Sequence, residues 1–188
     1  MAQADTPLPS PALDLSGDGD VFTYVAGTME SPVVCSFPHV GLEWPVTLGR
    51  RPQVNMRKNA DLAVEFVSEG LTVPHIRARY SRLVVDLNRA SLDLSPALCP
   101  AHGGLRPRRD PGDPASAQER PPLGHRGVIW DRSLANVTLL SRPLDADAFH
   151  RRIAAYHTPY WSALQTLLDQ AHARHGVAML LDLSLIHI

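Results

Sequence analysis

Cysteine is scarce in this sequence: Cys35 and Cys99 are the two it has, and neither belongs to a CxxC pair. That is too few for the disulfide framework of a small secreted domain, so both read as reduced, buried thiols of a cytoplasmic protein. Long apolar runs are missing as well. No stretch approaches the roughly 20 apolar residues of a membrane-crossing helix, and the N-terminus has no basic segment leading into an apolar run. An excess of one charge is also missing. The 18 Lys and Arg against 19 Asp and Glu leave a formal net charge of -1. With its arginines spread along the chain, the sequence lacks the electrostatic footprint of a protein that binds nucleic acid or an anionic membrane. What is there is a chain of 188 residues, 44% apolar, with the length and composition of one soluble domain that buries a core. A small polar molecule is its expected partner.

Residues 1–20, rich in Pro, Ser, Gly and Asp, cannot repay their ordering entropy by burial and read as a mobile tail before one domain over residues 21–182. Pro32 to Phe37 is a short run of strand formers closed by the turn Pro38-His39-Val40-Gly41. Asn59 to Ser68 fits a short helix behind an Asn or Asp cap, with a strand as the alternative. Thr72 to Ala78 and Leu83 to Leu87 read as strands, the second almost wholly apolar and so interior to the sheet. Residues 90–127, full of Pro, Gly and Arg, read as a long surface loop. From Leu144 to Gly176 apolar residues recur at helical spacing behind Asp145, with Pro159 expected to kink or divide the helix. Val177 to Leu181 is then a strand ending at Asp182. Strands alternating with helices indicate an α/β domain with a mixed, mostly parallel sheet flanked by helices.

Open α/β sheets bind ligands at the carboxyl ends of their strands, so His39, the Asp86-Leu87-Asn88-Arg89 segment and Asp182 are the positions to weigh together. Each alone has a plain structural reading. A single His after a strand is more often hydrogen-bonded scaffold than ligand, and Asp and Asn at a turn satisfy orphan amides.

The wording of three segments narrows the choice. Ser36-Phe37-Pro38-His39-Val40-Gly41, Ala78-Arg79-Tyr80-Ser81-Arg82-Leu83-Val84-Val85-Asp86-Leu87-Asn88-Arg89 and Tyr156-His157-Thr158-Pro159-Tyr160-Trp161 resemble, in order, the SxPHxG, ARYSRxVxDLNR and YxxPYH motifs of N-formylglutamate amidohydrolases. The similarity runs from about Pro32 to Asp182. It implies a sheet like that of the zinc carboxypeptidases and aspartoacylase. It also implies zinc-assisted hydrolysis of the amide of an N-acyl acidic amino acid, as in histidine breakdown.

On that resemblance His39 is the first Zn²⁺ ligand and Asp61 the second, with Glu65 and Glu43 as substitutes. Such ligands leave an open position on which a bound water's pKa falls toward about 7. Asn88 and Arg89 would hold the substrate's α-carboxylate, because a guanidinium fork makes two parallel bonds to a carboxylate. Arg82 would polarise the scissile carbonyl, and Asp182 would support the metal from behind. Trp161 stands where the family has His, and His157 beside it reads as exposed. The family's third ligand is the His of a DxHS motif after the last strand. Here Asp182 is followed by Leu183-Ser184-Leu185-Ile186-His187-Ile188, wording that matches a translated sequencing-adapter end. Residues 183–188 are therefore expected to be non-native, His187 a decoy, the domain incomplete at its C-terminus, and the chain itself inactive.

Overall fold

The computed structural model describes residues 21–94, 98–100 and 126–184. The expected tail at 1–20, most of the loop at 90–127, and His187 lie outside the described residues. Four strands form one sheet in the order β1-β3-β2-β4, with β1 Phe22–Val25, β2 Val33–Phe37, β3 His75–Ala78 and β4 Met179–Asp182. β2 is parallel to both neighbours, pairing Cys35 with His75 on one side and Ser36 with Asp182 on the other. β1 is antiparallel to β3 at the edge. The mixed, mostly parallel α/β sheet expected from the sequence is therefore present. Central β2 is nearly all apolar because both its faces are covered, and Val34 and Phe37 are fully buried.

The described helices are α1 Glu65–Ser68, α2 Ala146–Arg152 and α3 Thr158–His175. Asp145 caps α2, its side chain accepting from the Ala148 N–H at 2.6 Å. Gly176 ends α3 in the left-handed region at φ 74°, its N–H donating to the His172 carbonyl at 2.7 Å. Between the two helices Ile153–His157 form a π turn. Pro159, at the start of α3, has no N–H to give and its ring would strike the carbonyl four residues back in a regular helix. The widened turn ahead of it accommodates the ring, so the expected division of the helix takes the form of a π turn. α3 buries Tyr160, Ala163, Leu164, Leu167 and Ala171 in the main core. Tyr160 ties it to the sheet through Ser36 Oγ at 3.0 Å and an edge-on contact with Phe22.

Two expectations are corrected, and one strand was not anticipated. Leu83 to Leu87 is not a strand but a series of turns, with Val84 N–H donating to Ser81 O at 2.8 Å and Arg89 N–H to Asp86 O at 3.2 Å. All five residues are buried because the segment runs through the core, hooked to Val128 by Asp86 N–H at 2.8 Å. Asn59 to Ser68 is not one helix: it holds the end of one 3₁₀ turn, a second at Leu62–Val64, and an α turn over its last four residues. β1 carried too short a pattern to be read from the sequence at all.

Candidate functional site

The turn leaving β2 brings His39 into the interior, 1% exposed. Its Nε2 lies 2.7 Å from Asp86 Oδ1 and its Nδ1 lies 3.2 Å from Asp61 Oδ2. Asp61 reaches this place because its own N–H donates to the His39 carbonyl at 2.9 Å. The 3₁₀ turns thus fold back on the His39 turn, and the Asp61 carboxylate faces the ring instead of capping a helix. Arg82 crosses behind: its Nη2 donates to Asp86 Oδ2 at 2.8 Å, its Nη1 lies 3.9 Å from Asp61 Oδ1, and its guanidinium lies over the Trp130 ring at 4.8 Å. The Arg82 Nε–H is buried and has no hydrogen-bond partner among the described residues.

The Asp86 carboxylate holds the cluster together. Oδ1 accepts from His39 and from the Asn88 N–H at 3.0 Å, while Oδ2 accepts from Arg82. Burial alone would raise its pKa, but the hydrogen bond and charge of His39 and the charge of Arg82 outweigh burial and hold it at about 2. Burial likewise pulls the His39 imidazole down, and its bonds to Asp61 and Asp86 reverse the sign, so its pKa is raised. Asp182 ends β4 beside Ser36. Partial burial pushes its carboxyl up, with His39 pulling it down and Asp86 adding to the rise.

The same carboxylate starts the turn that carries Asn88 and Arg89. Asn88 is exposed and Arg89 half-buried, yet their backbone is pinned. His157 Nε2–H donates to the Arg89 carbonyl at 2.9 Å and Trp161 Nε1–H to the Leu87 carbonyl at 3.0 Å. His157 was expected to be exposed; it is buried, and stacks on Trp161 at 6.1 Å. Glu43 is not part of the cluster, since it pairs with Arg79 at the surface, 2.9 Å away. The Glu65 side chain and His187 lie outside the described residues. Asp86 as the direct partner of His39, and Ser184 beside it, were missed in the sequence. The DLNR wording flagged the first, and nothing flagged the second.

The His39 imidazole thus lies between two carboxylates at the end of a parallel strand, with Asn88 and Arg89 on the adjoining turn. The sequence model of the N-formylglutamate amidohydrolase family matches residues 31–184. The chain belongs to this family. Among solved structures, the N-formylglutamate amidohydrolase from Ralstonia eutropha JMP134 is 28% identical with a TM-score of 0.67, and the match covers 88% of this chain and 57% of that one. The gene product Atu2144 from Agrobacterium tumefaciens, 17% identical, shares the fold at a TM-score of 0.59, over 90% of this chain and 60% of that one. The chain thus spans less than two thirds of the length of either. No curated protein sequence matches it.

Whether this amidohydrolase-family site fits a metal can be tested on its donors. Ser184 Oγ lies 2.9 Å from His39 Nδ1 and donates to Asp61 Oδ2 at 3.2 Å, closing a triangle with the 3.2 Å separation of those two atoms. Three donors on a tetrahedral Zn²⁺ stand about 3.4 Å apart, so the triangle has nearly the size of one ligand face. Its chemistry falls short. A neutral hydroxyl is not a usual zinc ligand, and no group of three His, Cys, Asp or Glu suited to a metal occurs among the described residues. The described residues fit two of three corners and do not make a full zinc site.

His157 yields a pH prediction. Burial lowers its pKa below the ordinary 6.5, with the bond to Arg89 and the Asp86 charge opposing. The neutral ring is therefore the folded form, and the unfolded chain takes up a proton first as pH falls. Its stabilising contribution is present above about 6.5 and is lost as pH drops through the lower folded value. His157→Gln should flatten the fall in stability between about pH 7 and pH 5 measured by urea unfolding; an unchanged slope would refute the assignment.

Proposed function

We propose that this domain belongs to an enzyme that hydrolyses the amide of an N-acyl acidic amino acid, N-formyl-L-glutamate plus water giving formate and L-glutamate. The observation that carries the reading is Asp86 Oδ1. One oxygen holds the His39 imidazole and the Asn88 amide at once, so the hydrolytic and carboxylate-binding elements are built on one atom. In this reading Asn88 and Arg89 clamp the α-carboxylate on a backbone fixed by His157 and Trp161. Arg82 balances the charges of Asp61 and Asp86, and sits close enough to the site to oppose negative charge on the scissile carbonyl oxygen. Asp86 fixes Nε2 of His39, which turns Nδ1 toward Asp61. His39 and Asp61 would be two ligands of a zinc ion with Asp182 behind them. The described residues supply no third, so the steps assigned to this chain are those of its own side chains. The buried thiols of Cys35 and Cys99 suit a cytoplasmic setting, and the finer fold assignment is a sheet of the zinc-carboxypeptidase kind.

A second reading is a carboxylate-binding domain that works without metal. Trp161 favours it, an indole bound to the Leu87 carbonyl where the family motif has an ionisable His. Calorimetric titration of the whole enzyme to which this domain belongs with N-formyl-L-glutamate, together with formate release and zinc content, separates the two. Arg89→Lys is expected to weaken binding about tenfold in either case, because a single ammonium replaces a two-pronged bond. Stoichiometric zinc and formate release support the hydrolase, binding indifferent to chelator supports the second reading, and unaltered binding in Arg89→Lys removes the clamp.

A further inference from the structure

The Trp130 ring on which Arg82 rests also lines a cavity of about 430 Å³. Its walls carry Arg50, Arg51 and Arg152, the indoles of Trp44 and Trp130, and Thr138, with no Asp or Glu among its lining residues. In a chain whose formal net charge is -1, three guanidiniums around one hollow, with no carboxylate lining it among the described residues, are a local excess of positive charge. Arg152 is the telling member. It closes α2 just before the π turn, is 8% exposed, and has no hydrogen-bond or ion-pair partner among the described residues. Burial is the main influence on it and acts against its charge, pulling its pKa down. A buried cation is costly unless something of opposite charge meets it, and the cavity is where that complement can come from.

We propose that this cavity is a binding site for a small organic oxyanion, a carboxylate or phosphate bound by Arg152, Arg51 and Arg50 with its apolar part against Trp44 and Trp130. Guanidinium forks match both oxyanions in geometry, and indole walls supply flat apolar area. The volume is that of ordinary small-molecule pockets, about 300–1,000 Å³. None of these residues belongs to the His39 cluster, so the site stands whether or not the amidohydrolase reading holds.

The chain is titrated with glutarate and, separately, with inorganic phosphate, followed by indole fluorescence and calorimetry. Saturable binding of one or both is expected, and the anion that saturates assigns the class. Arg152→Gln and Arg51→Gln should each raise its Kd about tenfold, while Arg57→Gln, an exposed arginine that is not among the cavity's lining residues, leaves it within about twofold. Arg51 is exposed, so its variant decides the matter if Arg152→Gln does not fold. The site is ruled out if neither anion saturates, if Arg51→Gln binds like the parent, or if Arg57→Gln abolishes binding.

Discussion

Replacing Asp86 by Ala should cost the fold about 3–5 kcal/mol, the range found when one partner of a buried ion pair is removed and the other is left behind. The carboxylate is fully buried and accepts from His39, Arg82 and the Asn88 amide. Its loss strands an imidazole and a guanidinium that already has one unpartnered N–H. Asp86→Asn keeps one oxygen acceptor and should fall between the two. Denaturant midpoints give the comparison, and a change under about 1 kcal/mol for Asp86→Ala would mean that water or rearrangement replaces the bonds. The same residue shapes the acid limb. Its folded pKa of about 2 lies below the ordinary 3.8, so its contribution is complete above the unfolded value. That contribution disappears as pH falls from there through about 2. In Asp86→Ala this part of the acid unfolding curve should be absent.

Gly41→Ala is expected to be nearly as damaging, about 3 kcal/mol, at the upper end of ordinary overpacking costs. A Cβ on Gly41 would collide with the Tyr80 carbonyl oxygen and stand 2.7 Å from both the carbonyl carbon and the oxygen of Arg79. Those atoms are backbone, anchored by the bonds from Glu43 N–H to Arg79 O and from Ser81 N–H to Glu43 O at 3.2 and 2.9 Å, so they cannot swing aside as a side chain would. Relief must come from the His39 turn or from the strand exit leading to Arg82 and Asp86. Thermal unfolding should show the loss, and the His39 ring resonances should shift in the folded remainder. A variant as stable as the parent with His39 unmoved would show that the close approach is not needed.

Much of the framework was legible because its signals are local. The run Val33 to Phe37 and the long apolar period behind Asp145 each carry their own start and stop, Pro38 and Gly41 in one case and Gly176 in the other. Leu83 to Leu87 was misread because a short apolar run reports burial and not backbone shape. Its turns are imposed by Val128 and by the carboxylate of Asp86, contacts formed across the chain. His157 was misplaced for a different reason. Its face depends on a π turn that no period of 3.6 anticipates, and its partner is the Arg89 carbonyl that ends the DLNR turn. At the site, His39, Asp61, Asn88 and Arg89 came from motif wording, and the structure brings His39 and Asp61 together beside the turn that carries Asn88 and Arg89. The bridging role of Asp86 was visible only as a letter in that wording.

The π turn between α2 and α3 makes the length of this segment a fixed quantity. One residue of a regular helix corresponds to about 100° of rotation. The widened turn already takes up one extra residue, so inserting a second into 153–157 would turn α2 about its axis relative to α3. Phe149 and Arg152, now inside, would face water, and the hollow beside Trp130 would lose its innermost cation. Of all the stretches between the sheet and α3, this is the one where counting residues matters more than which residues they are.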